Sequence, residues 1–491
     1  MNKYEVVIGL EIHAQLKTVS KMFCTCNNDS VEAGPNKNTC SVCLGMPGML
    51  PVPNKKAIEW TYLLGLALGG KIAERWNFER KNYFYPDLPK AYQITSATCP
   101  PVIGGSLKVV TGTGEQEIRI HHIHLEEDAG KLVHVSGGKY SLVDLNRAGT
   151  PLMEIVTEPD LRSPKEASIF LQNLRAILRY LGISDANMEQ GNMRCDANIS
   201  LRPVGQKEYG TRAEIKNINS FKMVEKAIEF EINRQGELLD AGETVKQETR
   251  GWDDNQGKTL PQRSKEEAND YRYFPEPDLP PISKVGKNAI DLEMVKSWLP
   301  ELPKEKATRF ESEYGLTVQE AETITGDLDT ARYFEQILEE FEEAASDTEI
   351  MKAKAKRVSN WLLSELIAKL NVDGVTISET KISHTDFAAL IELIDGGEIS
   401  GKIAKEVFAE MFANGKKPGE IIKDRGLVQI SDMGALESIV TEVIVANEKS
   451  VSDFREGNQR ALGFLVGQIM AKTQGQANPK MVNEILKEKL K

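Results

Sequence analysis

Glu11 and His13 stand two residues apart in a segment, Tyr4 to Leu16, that alternates almost without interruption. On a strand, Tyr4, Val6, Ile8, Leu10, Ile12, Ala14 and Leu16 line one face, and Glu5, Val7, Gly9, Glu11, His13 and Gln15 the other. A carboxylate and an imidazole so spaced lie roughly 7 Å apart and can share a hard metal ion or its water shell. A solvated outer face would alternate in the same way. The device recurs, however. Cys195, Ala197, Ile199 and Leu201 alternate with Asp196, Asn198, Ser200 and Arg202. Beyond a turn at Pro203 to Gly210, Ala213 and Ile215 alternate with Arg212, Glu214 and Lys216, which predicts a β-hairpin. Short strands should carry Asp144 with Asn146, and Glu154; a further strand, Ile118 to Leu125, runs into Glu126, Glu127 and Asp128. Like charges gathered on one face repel and raise one another's pKa. Divalent cations relieve this, and magnesium ordinarily keeps waters and phosphate oxygens in its shell. Interleaved Arg147, Arg202, Arg212 and Lys216 could hold that phosphate. The pattern points to magnesium-dependent phosphoryl transfer on an antiparallel platform.

A second constellation is Cys24, Cys26, Cys40 and Cys43, in a C-x-C, thirteen-residue gap, C-x-x-C arrangement. In a reducing compartment this spacing predicts a closed tetrahedral zinc site, with free thiols as the alternative. Four thiolates leave no open coordination position, so such a zinc would be structural. The turn-forming residues between them could not pack a core unaided. Other signals are weaker. Gly396 to Lys402 resembles a phosphate-binding loop, but Ile403 stands where the magnesium-binding hydroxyl belongs, and a turn between helices is expected. Gly112-Thr113-Gly114 is expected to be a hairpin turn. His121, His122 and His124 fall on both strand faces and are expected at the surface, and Cys99 and Cys195 as ordinary buried residues. No serine or cysteine nucleophile set is legible.

The elements that must position these residues divide in two. The 491 residues suggest about three domains. Hydrophobic residues at 40% and charged residues at 27% are ordinary for a globular protein. No apolar run reaches the about eighteen residues of a membrane helix, and the start enters a strand directly, so a cytoplasmic enzyme or enzyme subunit is expected. Residues 1–290 read as α+β, with antiparallel strands and two long helices. Ser163 and Pro164 open the first helix, and Gly182 closes it. The second should run from Phe221 to about Arg234 and stop near Gly236. Arg250 to Pro281 reads as a long ordered loop. From about Ile290 short amphipathic helices follow one another, which predicts an all-α domain over 291–405 and an all-α tail over 406–491. The net charge of −12 argues against wholesale coating by nucleic acid. From Arg455 onward, though, seven lysines and arginines face three glutamates, which suits local RNA contact.

Eight strings carry a resemblance. Val7 to His13 (VIGLEIH), Arg80 to Asp87 (RKNYFYPD), Leu125 to Lys131 (LEEDAGK) and Ser141 to Arg147 (SLVDLNR) are the first four. Arg194 to Ser200 (RCDANIS), Asp270 to Pro277 (DYRYFPEP), Ser400 to Lys405 (SGKIAK) and Gly463 to Gln468 (GFLVGQ) complete them. Together they resemble, from end to end, the B-subunit family of the bacterial aspartyl/glutamyl-tRNA(Asn/Gln) amidotransferases. The resemblance implies a cradle domain with a glutamine-synthetase-like fold, then a helical domain and a tail that contacts tRNA. It implies phosphorylation by ATP of the side-chain carboxylate of Glu-tRNA(Gln) or Asp-tRNA(Asn), then amidation by ammonia. The ammonia would come from an amidase A subunit, assembled with a small C subunit. It places the family's magnesium ligands and catalytic groups on Glu11, His13 and Glu127, with Glu214 a further carboxylate. Strand phase alone does not separate Glu126 from Glu127; the resemblance selects Glu127. The four cysteines occur in only some members. Two other functions fit the residues less closely: a non-catalytic tRNA-binding scaffold, and a free-standing ligase for small amines.

Overall fold

Strand β1 (Tyr4–Gln15) forms because its alternating residues can bury one face while pairing on both edges. Ile8, Leu10, Ile12 and Ala14 are at most 1% exposed. The computed structural model describes all residues except 1–2, 30–32, 113, 136, 265–269, 287–288, 342–345, 428–432, 456–458, 474–476, 478 and 491. Thr113 of the expected hairpin turn, and Glu456 and Lys491 of the basic tail, lie outside the described residues. The described chain divides into two units, Met1–Pro303 and Lys304–Lys491.

The first unit is built on one large sheet. Its strands, in chain order, are β1, β2 (Glu79–Asn82), β3 (Tyr92–Thr95), β4 (Gly114–Glu127), β5 (Pro151–Thr157), β6 (Met193–Pro203), β7 (Ala213–Ile218), β8 (Glu248–Asp253), β9 (Lys258–Ser264) and β10 (Phe274–Pro275). Across the sheet they run β9-β8-β7-β6-β1-β5-β4-β3-β2-β10; short strands at Val102–Ile103 and Ser106–Thr111 attach beside β4, and Lys71–Ile72 pairs with Val102–Ile103. The sheet is mixed: these neighbours pair antiparallel except β7 and β8, which run parallel. The expected hairpin is β6–β7.

Three helices pack on the apolar side. Helix α1 (Lys55–Ala67) is capped by Asn54, whose side chain accepts from the Lys56 and Ala57 amides. Its residues Ala57, Ile58, Tyr62, Leu63 and Leu64 are all core, so it lacks the one-sided pattern that reveals a surface helix. Helix α2 (Pro164–Tyr180) begins as expected, with Ser163 accepting from the Glu166 amide. Helix α3 (Phe221–Asp240) continues through Gly236 to the end of Asp240, beyond its expected stop. Within the expected loop, Arg250 and its neighbours form the β8–β9 hairpin instead; Arg250 donates to the Thr259 hydroxyl and carbonyl at 2.8 and 2.9 Å.

The second unit is helical wherever it has regular structure among the described residues. Phe310, Phe334, Phe387 and Phe408 are fully buried in it. Gly396 ends the helix His384–Asp395, and Ser400 caps the helix Gly401–Asn414, so the phosphate-loop lookalike is a turn between helices. Leu436, Val440, Leu465, Ile469 and Leu486 form a separate core near the C-terminal end. No helix among the described residues is long and apolar enough to cross a membrane.

Candidate active site

The polar side of the sheet collects two groups of side chains that could hold a metal ion. The first is centred on His13, which pairs in register with Glu154 of β5, which in turn pairs with His124 of β4. Registered residues of antiparallel strands share a face, and Glu126 joins them two residues beyond His124. His13 Nε2 lies 3.4 Å from Glu126 and 3.2 Å from Glu154; His124 Nε2 lies 3.2 Å from Glu154 and 3.9 Å from Glu126. Burial pushes the His13 imidazole toward its neutral form, but the hydrogen bonds to Glu126 and Glu154 outweigh it and raise its pKa to about 10. His124, opposed by burial in the same way, rises to about 9 in the field of Glu154. Burial works against the Glu126 carboxylate, yet His124 and His13 hold it down to about 2, and Glu154 lies well below its usual range for the same reason. The two imidazoles and the two carboxylates thus each favour the other's charged form.

The second group is Glu11, Asp196 and Glu214, from β1, β6 and β7, with ligand atoms within 4.8 Å of one another. Asn198 Nδ2 donates to Glu11 at 2.9 Å, and the Thr249 hydroxyl donates to Glu214 at 2.9 Å. Lys216 bonds Asp196 closely and lies 2.9 Å from Glu214. Burial, with the charges of Glu154, Glu214 and Asp196, raises the Glu11 pKa; Lys216 offsets part of this. Burial also opposes ionisation of Glu214, but Lys216 and Thr249 overcome it and lower that pKa. A residue pair two apart on one strand thus feeds both groups.

Glu127 lies elsewhere. The pairing of β4 with β5 slips between Val156 and Thr157, leaving His121 unmatched as a bulge. Upstream, Ile118 and Ile120 face the core; downstream, Ile123 and Leu125 do. Glu127 follows Ile123 and Leu125, whereas His124 and Glu126 face His13. Glu127 accepts from the Ile94 amide at 3.0 Å and pairs with Lys90 at 2.5 Å. It opens on a cleft of about 210 Å3 shared with Phe23, Cys43, Met46 and Tyr92. The expected strand-face residue Asp144 is also apart, accepting from the Asn36 and Asn146 amides in a separate hairpin. Of the candidate phosphate clamps, Arg202 is taken by Glu5 at 2.9 Å, and Arg147 donates to the Ala129 carbonyl at 2.9 Å. Arg212 is exposed.

Cys24, Cys26, Cys40 and Cys43 converge, their sulfurs within 4.8 Å of one another. The Cys40 amide donates to Cys43 Sγ at 3.2 Å. Beside them Lys21 is fully buried, its Nζ 2.7 Å from the Asn38 carbonyl, 3.3 Å from that of Leu145 and 3.9 Å from Cys43 Sγ. No carboxylate among the described residues pairs with Lys21. A hydrogen bond with Cys24, and more weakly the Lys21 charge, lower the Cys43 thiol to about 4. Such a set of sulfurs, amide donor and buried ammonium fits an anionic tetrathiolate around zinc.

A family model described as the GatB/GatE catalytic domain matches residues 6–291, and one described as the GatB domain matches residues 339–490. Similar proteins, each named as the B subunit of an aspartyl/glutamyl-tRNA(Asn/Gln) amidotransferase, occur in Carboxydothermus hydrogenoformans and Persephonella marina. Each is 50% identical, over the whole of this chain and 99% and 100% of the relatives. The chain belongs to the GatB family.

In this GatB-family chain, Glu11, His13 and Glu214 share one face of the sheet, and His124, expected at the surface, lies buried among the candidate ligands. A histidine–apolar–glutamate triplet, His124-Leu125-Glu126, mirrors Glu11-Ile12-His13 and was the available signal. The bulge concealed it by placing His121 and His122 side by side, with ring nitrogens 2.6 Å apart and His122 3.1 Å from His124. His121 is exposed as expected, but His124 is 2% exposed and part of the site.

Proposed function

We propose that this chain is the subunit that activates the side-chain carboxylate of Glu-tRNA(Gln), Asp-tRNA(Asn) or both, using ATP and magnesium. The activated substrate is then amidated by ammonia from an amidase partner. The observation that carries this reading is the pair of oxygen-rich groups fed by Glu11 and His13 from one strand. Two metal-capable groups drawn from one face of the sheet suit phosphoryl transfer, in which little covalent chemistry falls to the protein and positioning and charge dominate.

A glutamate or aspartate side chain is ionised at neutral pH, so the nucleophile needs no general base. One of its oxygens bonds to the γ-phosphorus of ATP as the bond to the β-phosphate oxygen breaks and ADP leaves. Ammonia then adds to the acyl phosphate, phosphate departs, and the nitrogen sheds a proton to give the amide. Magnesium, held by Glu11, Asp196 and Glu214 and by His13, Glu126 and Glu154, would neutralise the triphosphate and the transferring phosphoryl group. Glu126 replaces Glu127 in this set because it alone of the two shares the face of His13. Asn198 and Thr249 orient the carboxylates that they touch. Lys216 offsets charge between Asp196 and Glu214.

The large first unit would be a glutamine-synthetase-like cradle, and the C-terminal helices would contact tRNA through the basic stretch. Free ammonia is scarce beside ammonium at neutral pH, which favours assembly with an amidase A subunit and a small C subunit in the cytoplasm. The four cysteines would hold a structural zinc; the buried Lys21 without a carboxylate supports an anionic cluster there. Reconstitution with the partner subunits tests the whole. Phosphate release from ATP should require misacylated tRNA, and amidation of Glu-tRNA(Gln) and Asp-tRNA(Asn) should follow. Binding of tRNA without phosphate release would favour a scaffold, and turnover without tRNA a small-amine ligase.

A further inference from the structure

Nearly every cation along the polar side of the sheet has an anion of its own. Lys216 is taken by Asp196 and Glu214, Arg194 by Asp128 at 2.8 Å, and Arg202 by Glu5. His13 and His124 are taken by Glu126 and Glu154. Lys81 is different. It is half-buried on β2, opposite Gln93 of β3, and β3 meets β4 at the pair Thr95–Glu126. No carboxylate or carbonyl holds it among the described residues. Its ammonium lies instead 5.0 Å from the ring centre of Tyr271 and 5.9 Å from that of Tyr83. Tyr271 packs edge-on against both Tyr83 and Tyr273, each at 6.0 Å.

The wall is fastened to the strand that carries Lys81. The Asn82 amide donates to the Tyr271 carbonyl at 2.9 Å, and its side chain to the Arg272 carbonyl at 2.9 Å. Phe274 pairs with Arg80. Arg272 adopts a positive φ of 47°, a conformation that side chains rarely take, to turn the chain between the two tyrosines. Burial disfavours the Lys81 charge, but the fields of Glu126, Tyr273 and Glu154 outweigh it and hold its pKa above the ordinary value. The fold therefore flanks Lys81 with two tyrosine rings on the side of the sheet that carries the first carboxylate group, and no hydrogen bond among the described residues engages its ammonium.

We infer that Lys81 is a catalytic residue that binds the transferring phosphoryl group, with the rings of Tyr83 and Tyr271 flanking its ammonium and Tyr273 backing Tyr271. An ammonium flanked by two rings keeps fewer rotamers than a free one, so its donors would meet the phosphoryl oxygens at a lower entropic cost. It lies across β3 from Glu126, so the phosphoryl group would be held between metal ions on one side and Lys81 on the other. The inference rests on the reading of the site as one that phosphorylates a carboxylate.

The test uses the full complex with its partner subunits. Lys81→Met keeps the aliphatic stem and removes the charge, and Lys81→Arg keeps the charge but not the three-donor geometry. Single-turnover phosphoryl transfer should fall about 100-fold in Lys81→Met and less in Lys81→Arg. In calorimetry the Lys81→Met complex should bind the β,γ-imido analogue of ATP about 10-fold more weakly while its ADP affinity stays within about threefold, because only the analogue presents the third phosphate. Unaltered melting of each variant guards against misfolding. Transfer within threefold of the parent, or equal losses for ADP and the analogue, would overturn the inference. So would normal phosphate release with loss confined to the ammonia step. Failure of the parent complex to release phosphate with tRNA would instead remove the underlying reading.

Discussion

Glu126 and Glu127 are consecutive, both buried, and belong to different regions of the molecule. Glu126 faces His13 and Glu154 on the polar side of the sheet. Glu127 faces Lys90 and the cleft beside the cysteine knuckle. The two regions solve the burial of charge in opposite ways. On the sheet face, carboxylates are matched by side chains that a divalent cation could displace, His13, His124 and the partly exposed Lys216. At the knuckle, four sulfurs close on one another and the compensating cation, Lys21, is walled in by the Asn38 and Leu145 carbonyls. An exchangeable arrangement suits a metal that arrives with a nucleotide, and a closed one suits a metal that stays.

The largest expected effect breaks the comparison at the face. Glu11→Gln, His13→Ala and Glu126→Gln should each slow phosphoryl transfer by about 100-fold or more, since each removes a proposed metal ligand, while tRNA affinity changes little. Rapid-quench assays at saturating magnesium, beside filter binding of tRNA, would separate the two quantities. Near-normal transfer in all three variants would mean that the face is merely solvated.

Next comes the knuckle. Cys24→Ser and Cys43→Ser should abolish binding of one zinc per chain and destabilise the first unit by several kcal/mol, on the order of what a structural metal contributes to a small site. Activity per folded molecule should fall far less. Elemental analysis and thermal melting measure both, and four freely titrating thiols in the native parent protein would contradict a zinc site. A chelator should likewise stop phosphoryl transfer long before it removes the knuckle metal.

Much of this layout was legible because β1, β6 and β7 obey a period of two, so Glu11, His13, Asp196 and Glu214 could be phased from their apolar neighbours. The phase of Glu126 was not, because the bulge at His121 shifts the apolar face of β4 from Ile118 and Ile120 to Ile123 and Leu125. Helix α1 was hidden by burial on all sides, and the β8–β9 hairpin by a polar composition that read as loop. Gly236 misled in a different way: a glycine inside a helix costs about 1 kcal/mol, which the packing of Val224, Ala227 and Ile228 readily absorbs. Tertiary contacts overrode the local signal in each case.

A smaller effect sharpens the boundary between the regions. Glu127→Gln leaves the half-buried Lys90 without its partner, which should cost about 1 to 3 kcal/mol of stability. Phosphoryl transfer should stay within about 10-fold of the parent, because Glu127 does not share a face with His13. Denaturant unfolding and single-turnover kinetics on the same preparation would show which region Glu127 serves. A loss as severe as that of Glu126→Gln would return Glu127 to the metal set.

The smallest effect tests the knuckle's built-in cation. Lys21→Met keeps the stem that passes 3.5 Å from where a Cβ would sit on Gly149, but removes the ammonium beside Cys43. Four thiolates around a divalent zinc carry two net negative charges, and in a buried setting that excess is costly unless a cation lies near. Removing a group that supports metal ligands from the second layer typically weakens binding about 10-fold to 100-fold. Zinc affinity, measured by competition with a chromophoric chelator, should therefore fall by at least about 10-fold, while phosphoryl transfer by the zinc-loaded protein is unchanged. If the cluster held neutral thiols instead, the buried ammonium would be a burden, and Lys21→Met would raise the melting temperature without altering zinc affinity. The sign of the stability change thus reports the charge state of the four sulfurs.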